Sequence, residues 1–162
     1  MNDEPTTIEY SEAFSKSVLN SLSAHIATLD HDGVTLETNQ AWRRFGISNG
    51  IPLGYTGIGE NYLKICETGQ DGASDCGQKV AEGIRAVVDG KIEEYLLDDP
   101  CDGPGGPRWY YMHAIRMAIA SPLRIVVGHE DITQLKLTEE KLRESEKTLL
   151  DQKQGLEEPT SA

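Results

Sequence analysis

The stretch from Arg108 to Leu135 constrains this chain most, because two strand signals and a helix start follow one another there with almost no intervening residues. Arg108 to Met117 reads Arg-Trp-Tyr-Tyr-Met-His-Ala-Ile-Arg-Met and lies between Gly105-Gly106-Pro107 and Ser121-Pro122. Aromatic-rich composition between turn signals is the mark of a strand. Leu123 to His129 repeats the pattern. Asp131 can then accept a backbone N–H as an N-cap, with Gln134 three residues on able to reach back. A strand therefore runs straight into a helix, and the direction of one sets the direction of the other.

The remaining segments supply partners for that unit. Residues 1–11 read as a loose polar arm with Pro5, and a short helix follows in which Phe14, Val18, Leu19 and Leu22 share a face. His25 to Leu29 and Val34 to Thr38 flank Asp30-His31-Asp32-Gly33, an Asp-Gly hairpin signal. Asn39 can cap a short helix that places Trp42 and Phe45 together. The glycines between Gly46 and Gly59 indicate a loop, and Asn61 to Cys66 a short turn with Tyr62, Leu63 and Ile65 inward by residue type. Ser74 or Asp75 opens a helix with Val80, Ile84, Val87 and Val88 on one stripe, stopped by Gly90. Ile92 to Leu97 is a strand, and Asp98 to Pro107 reads as an exposed loop.

This order predicts an α+β chain, one antiparallel sheet with helices on a single face. A net charge of −12 without any Lys/Arg cluster argues against nucleic-acid and anionic-membrane partners. No run approaches the ~20 apolar residues of a membrane span, no secretory leader is legible, and three cysteines fit reduced thiols, so a cytoplasmic protein is expected. Nucleophile elbows, phosphate loops, zinc spacings and Cys-x-x-Cys are all missing from the sequence, so no enzyme is expected. Along the last helix Leu135, Leu142, Leu149 and Leu156 recur every seven residues, half of a coiled-coil seam, beside a polar companion seam of Thr138, Ser145 and Gln152.

Taken together, Leu29-Asp30 with Asp32-Gly33, Asn39-x-Ala41-Trp42-x-x-Phe45, the helix ending at Gly90, and Gly128-His129-Glu130-Asp131-Ile132-Thr133 before a charged helix resemble the PAS family of sensory domains. Asn61-Tyr62-Leu63-Lys64-Ile65-Cys66, and Pro100-Cys101 before Arg108-Trp109-Tyr110, are similar to bacterial sensor members, with Asp102 where a His is usual. The resemblance implies a five-stranded sheet of order 2-1-5-4-3, an N-terminal cap helix and a C-terminal signalling helix. The corresponding division is an arm at 1–11, a PAS domain at 12–131, a signalling and coiled-coil helix at 132–156 and a tail at 157–162.

It also implies a function: binding a small ligand or partner and passing the change through the last helix to an output protein, such as a histidine kinase or a regulator of a two-component system. A homodimer is expected, and the alternative is a ligand-free dimerisation and docking module. Cavity candidates are Trp42, Phe45, Tyr62, Ile65, Ile84, Trp109, Tyr111, His113 and Ile115. Trp109, Tyr111, His113, Ile115 and Met117 alternate with Tyr110, Met112, Ala114 and Arg116, and one of the two sets should face the cavity. Asp131, Ile132 and Thr133 would form the signal junction, and Cys66 and Cys101 are the thiols open to redox chemistry. Tyr62 stands where blue-light flavin relatives carry their reactive thiol, which argues against a covalent flavin adduct, and the helix from Ser74 to Gly90 has no His for haem. A noncovalent small molecule stays open as cofactor, and no metal ligand set is legible.

Overall fold

A computed structural model of the chain describes residues 6–48, 52–68, 74–103, 106–118 and 121–157. The elements in order are α1 (Thr7–Ser21), β1 (His25–Leu29), β2 (Thr35–Thr38), α2 (Gln40–Ser48), α3 (Tyr62–Thr68), α4 (Ser74–Val88), β3 (Glu94–Gly103), β4 (Gly106–Arg116), β5 (Ile125–Asp131) and α5 (Thr133–Glu157). The five strands form one antiparallel sheet of order β2-β1-β5-β4-β3, as expected.

Two boundaries depart from expectation. The first helix starts inside the stretch read as an arm, because Thr6 and Glu9 form a reciprocal capping box: the Glu9 N–H donates to the Thr6 hydroxyl at 3.3 Å and the Thr6 N–H to the Glu9 carboxylate at 2.8 Å. Within the segment read as a loop, residues 98–103 instead continue β3 and residues 106–107 begin β4, with Pro100 opposite Trp109, while 104–105 lie outside the described residues. Proline survives there because β3 is the sheet edge, where its missing N–H interrupts no second ladder.

Strand alternation sorts the side chains. Ala27, Leu29, Met112, Ala114, Ile125 and Val127 point inward and, with Leu63, Val80, Ala81, Ile84 and Val87 of α3 and α4, make the core, all 0–6% exposed. At roughly 25 cal/mol per Å² of apolar area removed from water, this cluster is the main source of stability. Two glycines allow the close approach: at Gly33, with φ +84°, a Cβ would meet the Leu63 side chain at 2.5 Å, and at Gly83 it would meet the Tyr95 ring at 2.2 Å. The carboxyl end of α4 is tied down by Arg116, whose Nη2 donates to the carbonyls of Val87 and Val88 at 3.1 and 2.8 Å.

Candidate functional site

At the end of the inner face nearest α2 the lining changes from aliphatic to aromatic. The register sets His25 opposite His129, and His129 opposite Met112. His25 stacks on Phe45 with ring centroids 4.4 Å apart, and Phe45 meets Tyr110 edge-on at 5.7 Å. Trp42 lies 5.6 Å from Tyr62 and 5.7 Å from His129, while the Tyr62 hydroxyl and His129 Nε2 are 3.2 Å apart. Burial pushes the His129 pKa down to about 4, with His25 adding to the effect, and burial lowers His25 against the raising field of Asp131. Both imidazoles are neutral near pH 7.

Beside this cluster an open groove of about 490 Å³ runs between the end of α1, the start of β1 and α2, lined in part by Asn20, Ser23, His25, Arg44 and Phe45. Of the cavity candidates, Phe45 lines this groove, Trp42 and Tyr62 belong to the aromatic cluster behind it, and Ile84 is in the aliphatic core.

The other candidates lie elsewhere. The set that faces the helices is Tyr110, Met112 and Ala114, so Trp109, Tyr111, His113 and Ile115 are on the opposite face of the sheet, turned from the interior by alternation. There His113 Nε2 lies 3.1 Å from the Glu94 carboxylate, and Ile115 is 38% exposed. Ile65, expected inward, is 47% exposed because the inward face of that short helix is formed by Leu63 with Tyr62 and Cys66. Burial pushes the Cys66 thiol up, opposed by a hydrogen bond with Tyr62 and supported by the Glu67 charge, which keeps it protonated and a poor nucleophile. Cys101 falls on β3, with its side chain outside the described residues.

The junction residues converge. The Ile132 N–H donates to the Trp109 carbonyl at 2.9 Å, and the Trp109 N–H donates to the Thr133 hydroxyl at 3.0 Å. Asp131 is the last residue of β5 rather than a residue of the helix; its Oδ1 accepts the Thr133 N–H at 3.0 Å and its Oδ2 lies 3.3 Å from Arg108 Nη1. Burial alone would raise the Asp131 carboxyl, but bonds from the Thr133 hydroxyl and amide, and then the Arg108 guanidinium, hold it below the ordinary range. A further tie was not anticipated from sequence: Lys136 Nζ lies 2.6 Å from Asp98 of β3. The first turn of α5 is thus held to β3, β4 and β5. The heptad leucines along α5 are bare, with Leu135, Leu142, Leu149 and Leu156 at 56, 60, 62 and 86% exposure.

Asp30, His31 and Asp32 bring three potential metal-ligand atoms within 4.8 Å of one another. The Asp30 carboxylate is engaged by the amides of Asp32 and Val34, each at 2.9 Å, which is the work of a hairpin turn. Among the described residues no helix is long and apolar enough to cross a membrane.

No family model matches the chain. It is 42% identical over 122 residues to an uncharacterized 104.1 kDa protein of Rhodobacter capsulatus, a match that takes in 74% of this chain and 13% of that protein's length. Among solved structures, the PAS domain of Bordetella pertussis BvgS superposes with a TM-score of 0.56 at 20% identity, covering 84% of this chain and 98% of that one. The photoactive yellow protein domain of the sensor histidine kinase Ppr from Rhodospirillum centenum gives 0.52 at 15% identity, covering 74% and 95%. Vibrio cholerae VqmA gives 0.56 at 16% identity, covering 76% and 52%. With its 2-1-5-4-3 sheet, α3 and α4 packed on the inner face and these likenesses, the chain has the fold of PAS domains.

Proposed function

We propose that this domain is a cytoplasmic, non-enzymatic sensory module whose state is read out through α5 by an output protein, with a histidine kinase the class of partner that the Ppr likeness suggests. The observation that carries this reading is the set of ties around the first turn of α5: Ile132 and Thr133 to Trp109, Asp131 to Thr133 and Arg108, and Lys136 to Asp98. With so little slack, a shift of β4 or β5 reorients the helix, and a ligand or partner that prefers one arrangement biases the output by its differential affinity.

The receiving region is the aromatic end of the inner face, where Trp42, Phe45, Tyr62, His25 and His129 offer flat surfaces and two neutral imidazoles to a noncovalent small molecule. The bare leucines of α5 suit pairing with a second copy, and the polar residues between them would keep that pairing weak and adjustable. The net charge of −12 opposes a nucleic-acid role.

The test is cross-linking through Leu142→Cys in a chain whose native cysteines are replaced by serine. The parent should form a disulfide dimer and Asp131→Ala should change its yield while the domain stays folded; an unchanged yield contradicts the reading. A second reading, a ligand-free docking module, is favoured by the apolar residues on the outer sheet face, Leu96 at 47%, Ile115 at 38% and Met117 at 39% exposure. Native mass and an ultraviolet-visible spectrum of the purified protein separate the two: retained mass or absorbance supports ligand sensing, and a clean apo dimer that shifts only with a partner protein supports docking.

A further inference from the structure

The open groove beside the aromatic cluster has a chemistry of its own. No residue of α3, α4, β4 or β5 lines it; its walls are the end of α1, the link into β1 and one flank of α2. Those walls are held by Asn39, which is 3% exposed and uses its whole amide. Its Nδ2 donates to the carbonyls of Leu19 and Ala24 at 3.0 and 2.9 Å, and its Oδ1 accepts the N–H groups of Ile26 and Trp42 at 2.9 and 3.0 Å. A site fixed before its ligand arrives loses less order on binding. The polar groups left over in the groove are donors. The Asn20 carbonyl oxygen is taken by the Gln40 N–H at 2.8 Å and by Arg43 Nη2 at 3.4 Å, which leaves its amide N–H groups. The Ser23 hydroxyl and the Arg44 guanidinium bond to nothing among the described residues, whereas the neighbouring Arg43 also donates to the Thr38 carbonyl at 2.9 Å. No Asp or Glu lines the groove, in a chain with 27 acidic and 15 basic residues.

We propose that this groove binds a small flat monoanion, an aromatic ring bearing one carboxylate. Phe45, 38% exposed, stacks on His25 with ring centroids 4.4 Å apart and planes 27° from parallel, which makes a flat wall for a ring to lie on. The Arg44 guanidinium can meet both oxygens of a carboxylate with parallel N–H groups, and the Ser23 hydroxyl and Asn20 amide supply donors for the remaining lone pairs. One guanidinium balances one charge. A dianionic phosphate would bring a second, uncompensated charge to a chain of net charge −12. The volume of about 490 Å³ is that of a small-molecule site. This assignment rests on the aromatic end being the receiving region, and adds the class of ligand it receives.

Titration of the full chain with benzoate, followed by the amide chemical shifts of a ¹H–¹⁵N spectrum, tests it. Benzoate should shift the signals of residues 20–25 and 41–48, and should bind about tenfold more tightly than benzamide, which keeps the ring and lacks the charge. Acetate, which keeps the charge and lacks the ring, and phenyl phosphate should both bind more weakly than benzoate. Arg44→Gln, at an exposed residue with no bond to the rest of the described chain, should erase the preference for benzoate and leave benzamide binding as it was. Added salt should narrow the preference in the parent. Equal binding of benzoate and benzamide, or a preference that survives Arg44→Gln, overturns the anion site while leaving an aromatic receiving region in place. Acetate or phenyl phosphate binding as tightly as benzoate overturns the assignment of a ring with a single charge, and no shift in either segment with any probe overturns the site outright. Benzoate bound through Arg44 with no change in the Leu142→Cys cross-link overturns the sensory reading instead, so the two failures are distinguishable.

Discussion

The two ends of the sheet's inner face are built differently. Toward α3 and α4 the lining is aliphatic and closed, with Leu29, Ile84, Val87 and Ile125 all 0% exposed. Toward α2 it is aromatic and polar, with His25, Phe45, Trp42, Tyr62 and His129 in ring contact beside an open groove. Close-packed aliphatic side chains have one good arrangement and resist change. Flat rings and neutral imidazoles have several arrangements of similar energy, and both flanking helices attach at this second end. Stability is thus concentrated at one end and adjustability at the other.

The strongest way to break this division is to hollow out the closed end. Ile84→Ala should cost about 3 kcal/mol in urea denaturation by loss of burial and creation of a cavity, yet leave the Leu142→Cys cross-link of the folded fraction unchanged. A comparable change in the cross-link would show that the two ends are not separate.

At the adjustable end, pH supplies the next test. Unfolded, His129 titrates near 6.5; folded, near 4. Between those values the unfolded chain takes up a proton that the folded chain refuses, so stability is full above pH 6.5 and falls as the pH drops toward 4. The loss is on the order of 3 kcal/mol. His25, also lowered by burial, contributes with the same sign. Denaturation midpoints between pH 7.5 and 4 should show this slope, and His129→Gln should flatten it.

Smaller effects are expected at the junction. Asp131→Ala should reduce stability by about 1 kcal/mol, as loss of a helix-start acceptor does, while its effect on α5 orientation is larger than its effect on melting. Lys136→Gln should leave melting unchanged, because its partner is on a wetted surface. It should still loosen the first turn of α5, visible as faster amide exchange at residues 133–137, and added salt should reproduce the loosening in the parent chain.

Much of this was legible in the sequence, because element order and strand alternation are carried by residue type. The two strands before Asp131, the capping Asn39 and the α4 stripe through Val80, Ile84 and Val87 all lie where periodicity puts them. The inner face of β4 was not legible, since Trp109 and Tyr111 look as suited to an interior as Tyr110 and Met112; pairing with β5 decides it. His129 was the residue to find. Alternation from Ile125 through Val127 already points it inward, and only the register with His25 reveals that two imidazoles meet there. The Lys136–Asp98 tie leaves no local signal, because its partners are 38 residues apart and meet only once β3 extends past Leu97.

The most direct measurement is backbone ¹⁵N relaxation through residues 126–140. If strand and helix form one body, order parameters stay at about 0.85 from Val126 through Asp131 and Thr133 to Lys136, and fall only farther along the bare part of α5. A dip below about 0.6 at Asp131 to Thr133 would reveal a flexible tether between sheet and helix, and would contradict transmission through this junction.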